Sequence, residues 1–183
     1  MSMDRKEQRQ QVPVPSLPQQ QEPAVERILM LGYGNLDRQD DGVAWHILRQ
    51  VAERLNTQLP DIPEEYLYEL SPSITVGFAL HLIPEHAEWL SRYERVLFLD
   101  AHTGSVPQNV SFTLIKPQFE PSPFTHHLTP ATCLSLCETL YQKSPQGALL
   151  SVRGFNFNFS QSLSPSARLL LEPAVEQVLK WLG

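Results

Sequence analysis

The sequence predicts an α/β sandwich of three layers, a mostly parallel, mixed sheet of about five strands flanked by helices. Two observations carry that expectation. Uninterrupted apolar runs, Ile28-Leu29-Met30-Leu31 and Val96-Leu97-Phe98-Leu99, stop at glycine or aspartate, as strands buried on both faces of a parallel sheet do. Between such runs apolar residues recur at helical spacing, so strands and helices alternate along the chain.

Residues 1–26 are rich in Gln, Pro and charge and poor in large apolar side chains, which predicts a disordered tail, either a dispensable extension or a docking arm. A single domain over 27–183 is expected to follow. Its first strand closes at Gly32 and enters the turn Gly32-Tyr33-Gly34-Asn35. Asp40 and Asp41 then stand where a helix carrying Val43, Ile47, Val51 and Leu55 begins. The pattern suits a core-facing helix better than a membrane-surface one. Residues 56–73, with Pro60, Pro63 and Pro72, read as an irregular excursion in which Tyr66-Leu67-Tyr68 is a candidate minor strand. Alternation over 74–81 predicts the second strand, and Pro84 starts a helix through Trp89 and Leu90. The strand over 95–100 is stopped by Asp100-Ala101-His102-Thr103-Gly104, and Val110, Phe112 and Leu114 mark an edge strand. Thr129-Pro130 caps a helix with Leu134, Leu136 and Leu140. Residues 147–153 form the last strand. Ser164-Pro165 repeats the capping device before a C-terminal helical segment, 169–182, that Pro173 should kink or split.

The chain of 183 residues holds 14 Lys and Arg against 20 Asp and Glu, a net charge of −6 that gives no compositional support to nucleic-acid binding. Two cysteines, Cys133 and Cys137, lie four apart in an apolar helical pattern and are expected on its buried face rather than in a disulfide. The N-terminal stretch lacks the apolar region of a signal peptide, and no apolar run reaches the roughly 18 residues of a bilayer span. A cytoplasmic protein without a membrane partner, acting as a monomer, is the expectation.

In an open α/β sheet ligands bind beyond the carboxyl ends of the strands, and here those loops bring carboxylates and imidazoles to one edge. Gly32 and Gly34 open a dinucleotide-type turn, but the third glycine position is Asp37, and Asp40 and Asp41 would repel a pyrophosphate. Asp40 reads mainly as a helix cap and Asp41 as functional. Oxygen and imidazole ligands from separate loops suit zinc, nickel, copper or manganese. His81 is either a ligand or a hydrogen-bonded strand-end residue, the pair His126-His127 divides between one ligand and one packed ring, His46 and His86 read as structural or exposed, and His102 stays open. Asp100 is either an active-site carboxylate or an anchor for its own loop. G-x-S-x-G, H-E-x-x-H and C-x-x-C motifs are absent.

The run Ile28-Leu-Met-Leu-Gly-Tyr-Gly-Asn35 through Asp40-Asp41-Gly42-Val43 resembles the hydrogenase maturation protease family, nickel-recognising endopeptidases that trim the C-terminus of the hydrogenase large subunit. His81-Leu-Ile-Pro-Glu-His-Ala-Glu-Trp-Leu90, Val96-Leu-Phe-Leu-Asp-Ala101 and His126-His-Leu-Thr-Pro130 follow in the family's order. Leu150-Ser-Val-Arg-Gly154 and Leu163-Ser-Pro165 resemble its cytosolic bidirectional-type branch. The resemblance implies metal contacts at Asp41, at His81 or Glu85, and at His126, with Asp41 or Asp100 as the catalytic base. Ala44 replaces the family's usual glycine, a change that tightens helix packing at most. The nickel is implied to arrive in the substrate, the hydrogenase large-subunit precursor, and to license its cleavage. A non-catalytic, chaperone-like binder of metal or precursor is the alternative, and a nucleotide-binding protein ranks third.

Overall fold

A computed structural model describes residues 25–64, 66–120 and 128–183. Most of the expected tail lies outside the described residues, as do His126 and His127.

The sheet has six strands in the order β2-β3-β1-β4-β6-β5: β1 Ile28–Tyr33, β2 Tyr68–Ser71, β3 Ile74–Ala79, β4 Arg95–His102, β5 Val110–Ile115 and β6 Gln146–Arg153. The four central strands are parallel, and β2 and β5 close the edges antiparallel to β3 and β6. The strand beyond the five expected is β2, displaced by two residues from the Tyr66-Leu67-Tyr68 segment; the Tyr68 ring packs 5.8 Å from that of buried Trp45, which holds this end of the excursion to the sheet.

Burial on both faces explains the unbroken apolar runs. Met30, Leu97, Leu99, Leu150 and Val152 face α1 (Val43–Arg54) and α5 (Leu171–Leu182), whereas Leu29, Leu31, Val96 and Phe98 face α2 (His86–Leu90) and α3 (Pro130–Tyr141). Successive residues of β1 and β4 thus serve opposite cores, as the two-residue period of a strand requires. Gly32 lets α1 approach the sheet: a Cβ there would stand 3.0 Å from Leu48 Cδ1 and 3.2 Å from the Ala44 Cβ.

Thr129 and Ser164 cap α3 and the short α4 (Pro165–Arg168) as their sequences promise, each side-chain oxygen accepting from a backbone N–H three residues on. Pro173 neither kinks nor splits the expected segment: α5 runs unbroken over Leu171–Leu182, and Pro173 falls in its first turn, where the missing N–H has no intrahelical partner to lose. Among the described residues no helix is long and apolar enough to cross a membrane.

From β1 the chain crosses to one face through α1, and from β3 it crosses to the other through α2, whereas β4 runs on to β5 and α3 joins β5 to β6. The carboxyl ends of β1 and β3 therefore border a place where neighbouring connections diverge, and such divergence opens a crevice.

Candidate active site

The loop leaving β1 is built around Asp41. Gly34 adopts φ +138°, and a Cβ on it would lie 2.1 Å from the Asp41 carbonyl oxygen, so only glycine fits. The Asn35 N–H donates to Asp41 Oδ2 at 2.7 Å, and the Asp37 N–H donates to Asn35 Oδ1 at 2.9 Å. A 3-10 turn, Gln39–Gly42, carries Asp40 and Asp41 into α1.

Asp40 does not cap α1, whose N-cap Gly42 has no side-chain cap. Its carboxylate turns away from the helix and is fully buried. Oδ2 accepts from the Phe155 N–H at 2.8 Å, the Asn156 N–H at 2.9 Å and the Ser164 hydroxyl at 2.7 Å, while Oδ1 accepts from the Ser164 N–H at 2.7 Å. Burial pushes its pKa up, but the Ser164 hydroxyl and the three backbone donors outweigh it and hold Asp40 below the usual carboxylate range.

Asp100 is moved the other way. Gly32 pairs with Leu99, so the next residues, Tyr33 and Asp100, stand side by side. Burial, helped by the Asp41 charge, raises Asp100 to about 7, against the opposing hydrogen bonds from the Tyr33 hydroxyl and from the Ala101 N–H at 2.7 Å. Tyr33 is itself raised, first by burial and then by the Asp100 charge. Asp100 bonds the next residue of its own strand, Ala101, rather than a loop, and burial holds its carboxyl well above the usual carboxylate range. It also lines a shallow cavity of 420 Å³ with His102 and Ser151. Tyr33 had no role in the sequence reading; the signal for it is the shared alternation of Leu31-Gly32-Tyr33 and Phe98-Leu99-Asp100.

On the other side of β1 a cavity of 490 Å³ opens between the loops after β1 and β3, walled by Gly34, Leu36, Phe78, His81, Ile83 and Trp89 among others. His81 lies two residues beyond β3, which ends at Ala79, and is half-buried in this wall. Glu85 is exposed and lies outside the wall. His86, also in the wall, is buried; its Nδ1 accepts the Ile83 N–H at 3.2 Å and its ring packs 4.7 Å from that of Trp89 at a 43° tilt, so it shapes the loop, in keeping with a structural role. Burial holds His86 below the ordinary histidine range. Leu128, where the described chain resumes after the segment containing His126, donates its N–H to the Leu82 carbonyl at 3.5 Å.

His46 is likewise structural, bonded to the Gln161 backbone and lowered chiefly by burial. His102 is buried, and its Nδ1 accepts the Gly104 N–H at 3.2 Å, which shapes the turn after β4; burial and nearby Arg153 keep its pKa low. Cys133 and Cys137 are free and buried as expected, with burial pushing the Cys133 thiol up to about 12. Among the described residues no three His, Cys, Asp or Glu side chains gather into a metal site. The metal contacts expected from resemblance therefore form no resident centre within that part of the chain, where Asp41 and His81 occupy the two loops bordering the larger cavity.

No family model matches the chain, and no curated protein does. Solved structures do. Hydrogenase maturating endopeptidase HybD from E. coli is similar with a TM-score of 0.59 at 20% identity, over 85% of this chain and 91% of that one. The [NiFe] hydrogenase maturation protease HycI from Thermococcus kodakarensis KOD1 gives 0.57 at 19%, over 86% and 92%. A hydrogenase 2 maturation peptidase from a Thaumarchaeota archaeon gives 0.55 at 19%, over 86% and 99%. At this identity the likeness is one of backbone architecture: the chain has the α/β fold seen in the hydrogenase maturation endopeptidases.

Proposed function

We propose that this protein is an endopeptidase that removes a C-terminal peptide from the nickel-loaded large subunit of a [NiFe] hydrogenase. The observation that carries the reading is the pair of carboxylates contributed by the loop after β1 and by β4: Asp41, held by the Asn35 N–H, and half-buried Asp100, beside Tyr33 and raised to about 7 by burial and by the Asp41 charge. A carboxyl titrating near the working pH is suited to general acid–base chemistry. The shared fold and the G-Y-G-N and D-D-G-V motifs support the substrate class.

In this reading nickel is part of the substrate, held by the precursor's own thiolates. Asp41, with Oδ2 engaged by Asn35, offers Oδ1 to the metal, and the imidazoles of His81 and His126 complete the contact. His81 takes the place left open between it and Glu85, because it lines the cavity beside Gly34. Docking by the metal positions the scissile peptide. Asp100 takes a proton from water as the water oxygen attacks the carbonyl carbon, and returns it to the leaving nitrogen as the peptide bond breaks. The protein acts as a monomer in the cytoplasm, where Cys133 and Cys137 stay reduced.

The test is the intact mass of the purified precursor, nickel-loaded or nickel-free, after incubation with wild-type protein or His126→Ala. Nickel-dependent loss of a C-terminal peptide with wild type alone is the expected result. Tight binding of the loaded precursor with no change in its length would replace the endopeptidase by a chaperone-like binder.

A further inference from the structure

Two neighbouring rows on one face of the sheet differ in chemistry. Leu31, Phe98 and Leu149 lie side by side on β1, β4 and β6 and pack in the core that α2 and α3 cover. Two residues further along the same strands stand Tyr33, Asp100 and Ser151, and β5 extends this second row with Ser111, the partner of Ser151. The two-residue period keeps both rows on the same face, so an apolar floor gives way to a polar one at the carboxyl edge of the sheet.

The polar row floors the 420 Å³ cavity beside Asp100. Thr103 and Ser105 from the turn after β4, Ser111 and Thr113 from β5 and Ser151 from β6 line it with hydroxyls, whereas among the described residues neither lysine nor arginine lines it. Hydroxyls both donate and accept, which suits the alternating N–H and C=O groups of a peptide backbone. A phosphate or other strong anion would meet no cation there. From Asp100 to Ser111 the row crosses two strand spacings, about 10 Å, the reach of about three residues of extended chain.

Position identifies the occupant. In the strand order the larger cavity, with Gly34 and His81 in its wall, lies on the β3 side of β1, and the hydroxyl-lined cavity lies on the β6 side of β4. The loop bearing Asp41 and the strand bearing Asp100 come between them. In a C-terminal trimming reaction the nickel stays with the large subunit and the peptide departs. The chain before the scissile bond therefore lies toward the metal contacts, and the chain after it runs on past Asp100, which returns the proton to the leaving nitrogen.

We infer that the hydroxyl-lined cavity is the subsite for the leaving peptide, holding about three residues beyond the scissile bond in extended form by their backbone, with Ser111 and Ser151 as its principal contacts. The assignment rests on the endopeptidase reading and deepens it: metal contact selects the loaded precursor, and this subsite holds the other side of the bond to be cut.

The experiment compares wild type with Ser111→Ala/Ser151→Ala, which removes two hydroxyls without adding bulk, with Ser111→Leu, which fills the cavity from the edge strand, and with the control Leu114→Ser, a 79% exposed position on the opposite face of β5. Trimming of the nickel-loaded precursor is followed with a synthetic peptide of the precursor's C-terminal extension as inhibitor, and direct binding of the same peptide, fluorescently labelled, is read by polarisation. The peptide is expected to inhibit wild type competitively. Both cavity variants should weaken its inhibition and its Kd about tenfold and raise KM, with kcat within about twofold, and Leu114→Ser should change nothing. Trimming by wild type with inhibition, Kd and KM unchanged in both cavity variants overturns the subsite and leaves the endopeptidase reading standing. If wild type does not trim, peptide binding that is lost in the cavity variants keeps the peptide site and removes the endopeptidase reading, whereas equal binding by all variants, or none by wild type, overturns both.

Discussion

Asp40 and Asp100 sit at the same edge of the sheet and are both withdrawn from water, yet their titration is displaced in opposite directions. The difference lies in the donors. Asp40 receives four hydrogen bonds, from Phe155, Asn156 and twice from Ser164, and is held below the usual carboxylate range. Among the described residues Asp100 receives the Ala101 N–H and the Tyr33 hydroxyl, faces the Asp41 charge, and is raised to about 7. Burial by itself disfavours charge; the number of donors decides whether a buried aspartate becomes a clasp or an acid–base group. The clasp holds the loops in place, and the raised carboxyl of Asp100 carries no such duty.

Removing each carboxylate in turn breaks this comparison most severely. Asp100→Asn is expected to lower the rate of precursor trimming by about 10²–10⁴-fold, the usual contribution of a positioned acid–base group, read by single-turnover mass spectrometry. Removing a group whose ionisation is disfavoured by burial should also raise stability at pH 8 by about 1–2 kcal/mol in urea titration. The sign follows from linkage: with its folded pKa raised, Asp100 binds more protons in the native state between about pH 4 and 7, so wild-type stability falls across that window and the variant escapes the loss.

Asp40→Ala should do the reverse. Each buried donor left unsatisfied costs about 1–3 kcal/mol, so a loss of about 3 kcal/mol or more at pH 7 is expected, with the loop over 154–164 the first to gain hydrogen exchange. The folded pKa of Asp40 is depressed, so its contribution is present above the ordinary carboxylate pKa and is lost as pH falls through the folded value. The gap between wild type and variant should therefore narrow in acid. Stability changes of the same sign at Asp40 and Asp100 would dismantle the comparison.

A smaller effect separates the two donors of Asp100. Tyr33→Phe removes a hydrogen bond that favours the ionised form, so the acid limb of the pH–rate profile is expected to move to higher pH while the rate on the plateau changes little. A profile that stays in place, or moves to lower pH, would show that Tyr33 does not set the titration of Asp100.

Much of the fold is legible in local patterns. The double-sided apolar runs of β1 and β4, the Thr129-Pro130 and Ser164-Pro165 caps, and the buried cysteines of α3 each follow from residues within a turn or a strand of one another. Edge strand β2 is harder to read, because four residues of mixed polarity gain their place by packing Tyr68 on Trp45. The placement of the two acids at one edge is visible as well: Asp41 opens the helix that follows the β1 turn, and Asp100 closes the apolar run of β4 two residues before that strand ends. What eluded the sequence is how neighbouring acids divide their work. Asp40 and Asp41 look alike as helix-start acids, and only the return of the chain 115 residues later gives Asp40 its partners.

The sequence by itself determined the alternation of strand and helix, the glycine turn at Gly34 and the edge on which charge collects, because periodicity, capping and steric limits act over a few residues. The tertiary structure decided which carboxylate is satisfied and which is raised, that His81 rather than Glu85 borders the larger cavity, and that Asp100, Ser151 and Ser111 come together in one row. Those properties depend on donors, charges and burial contributed by segments far apart in the chain, and such groups meet only when the sheet has set its strand order.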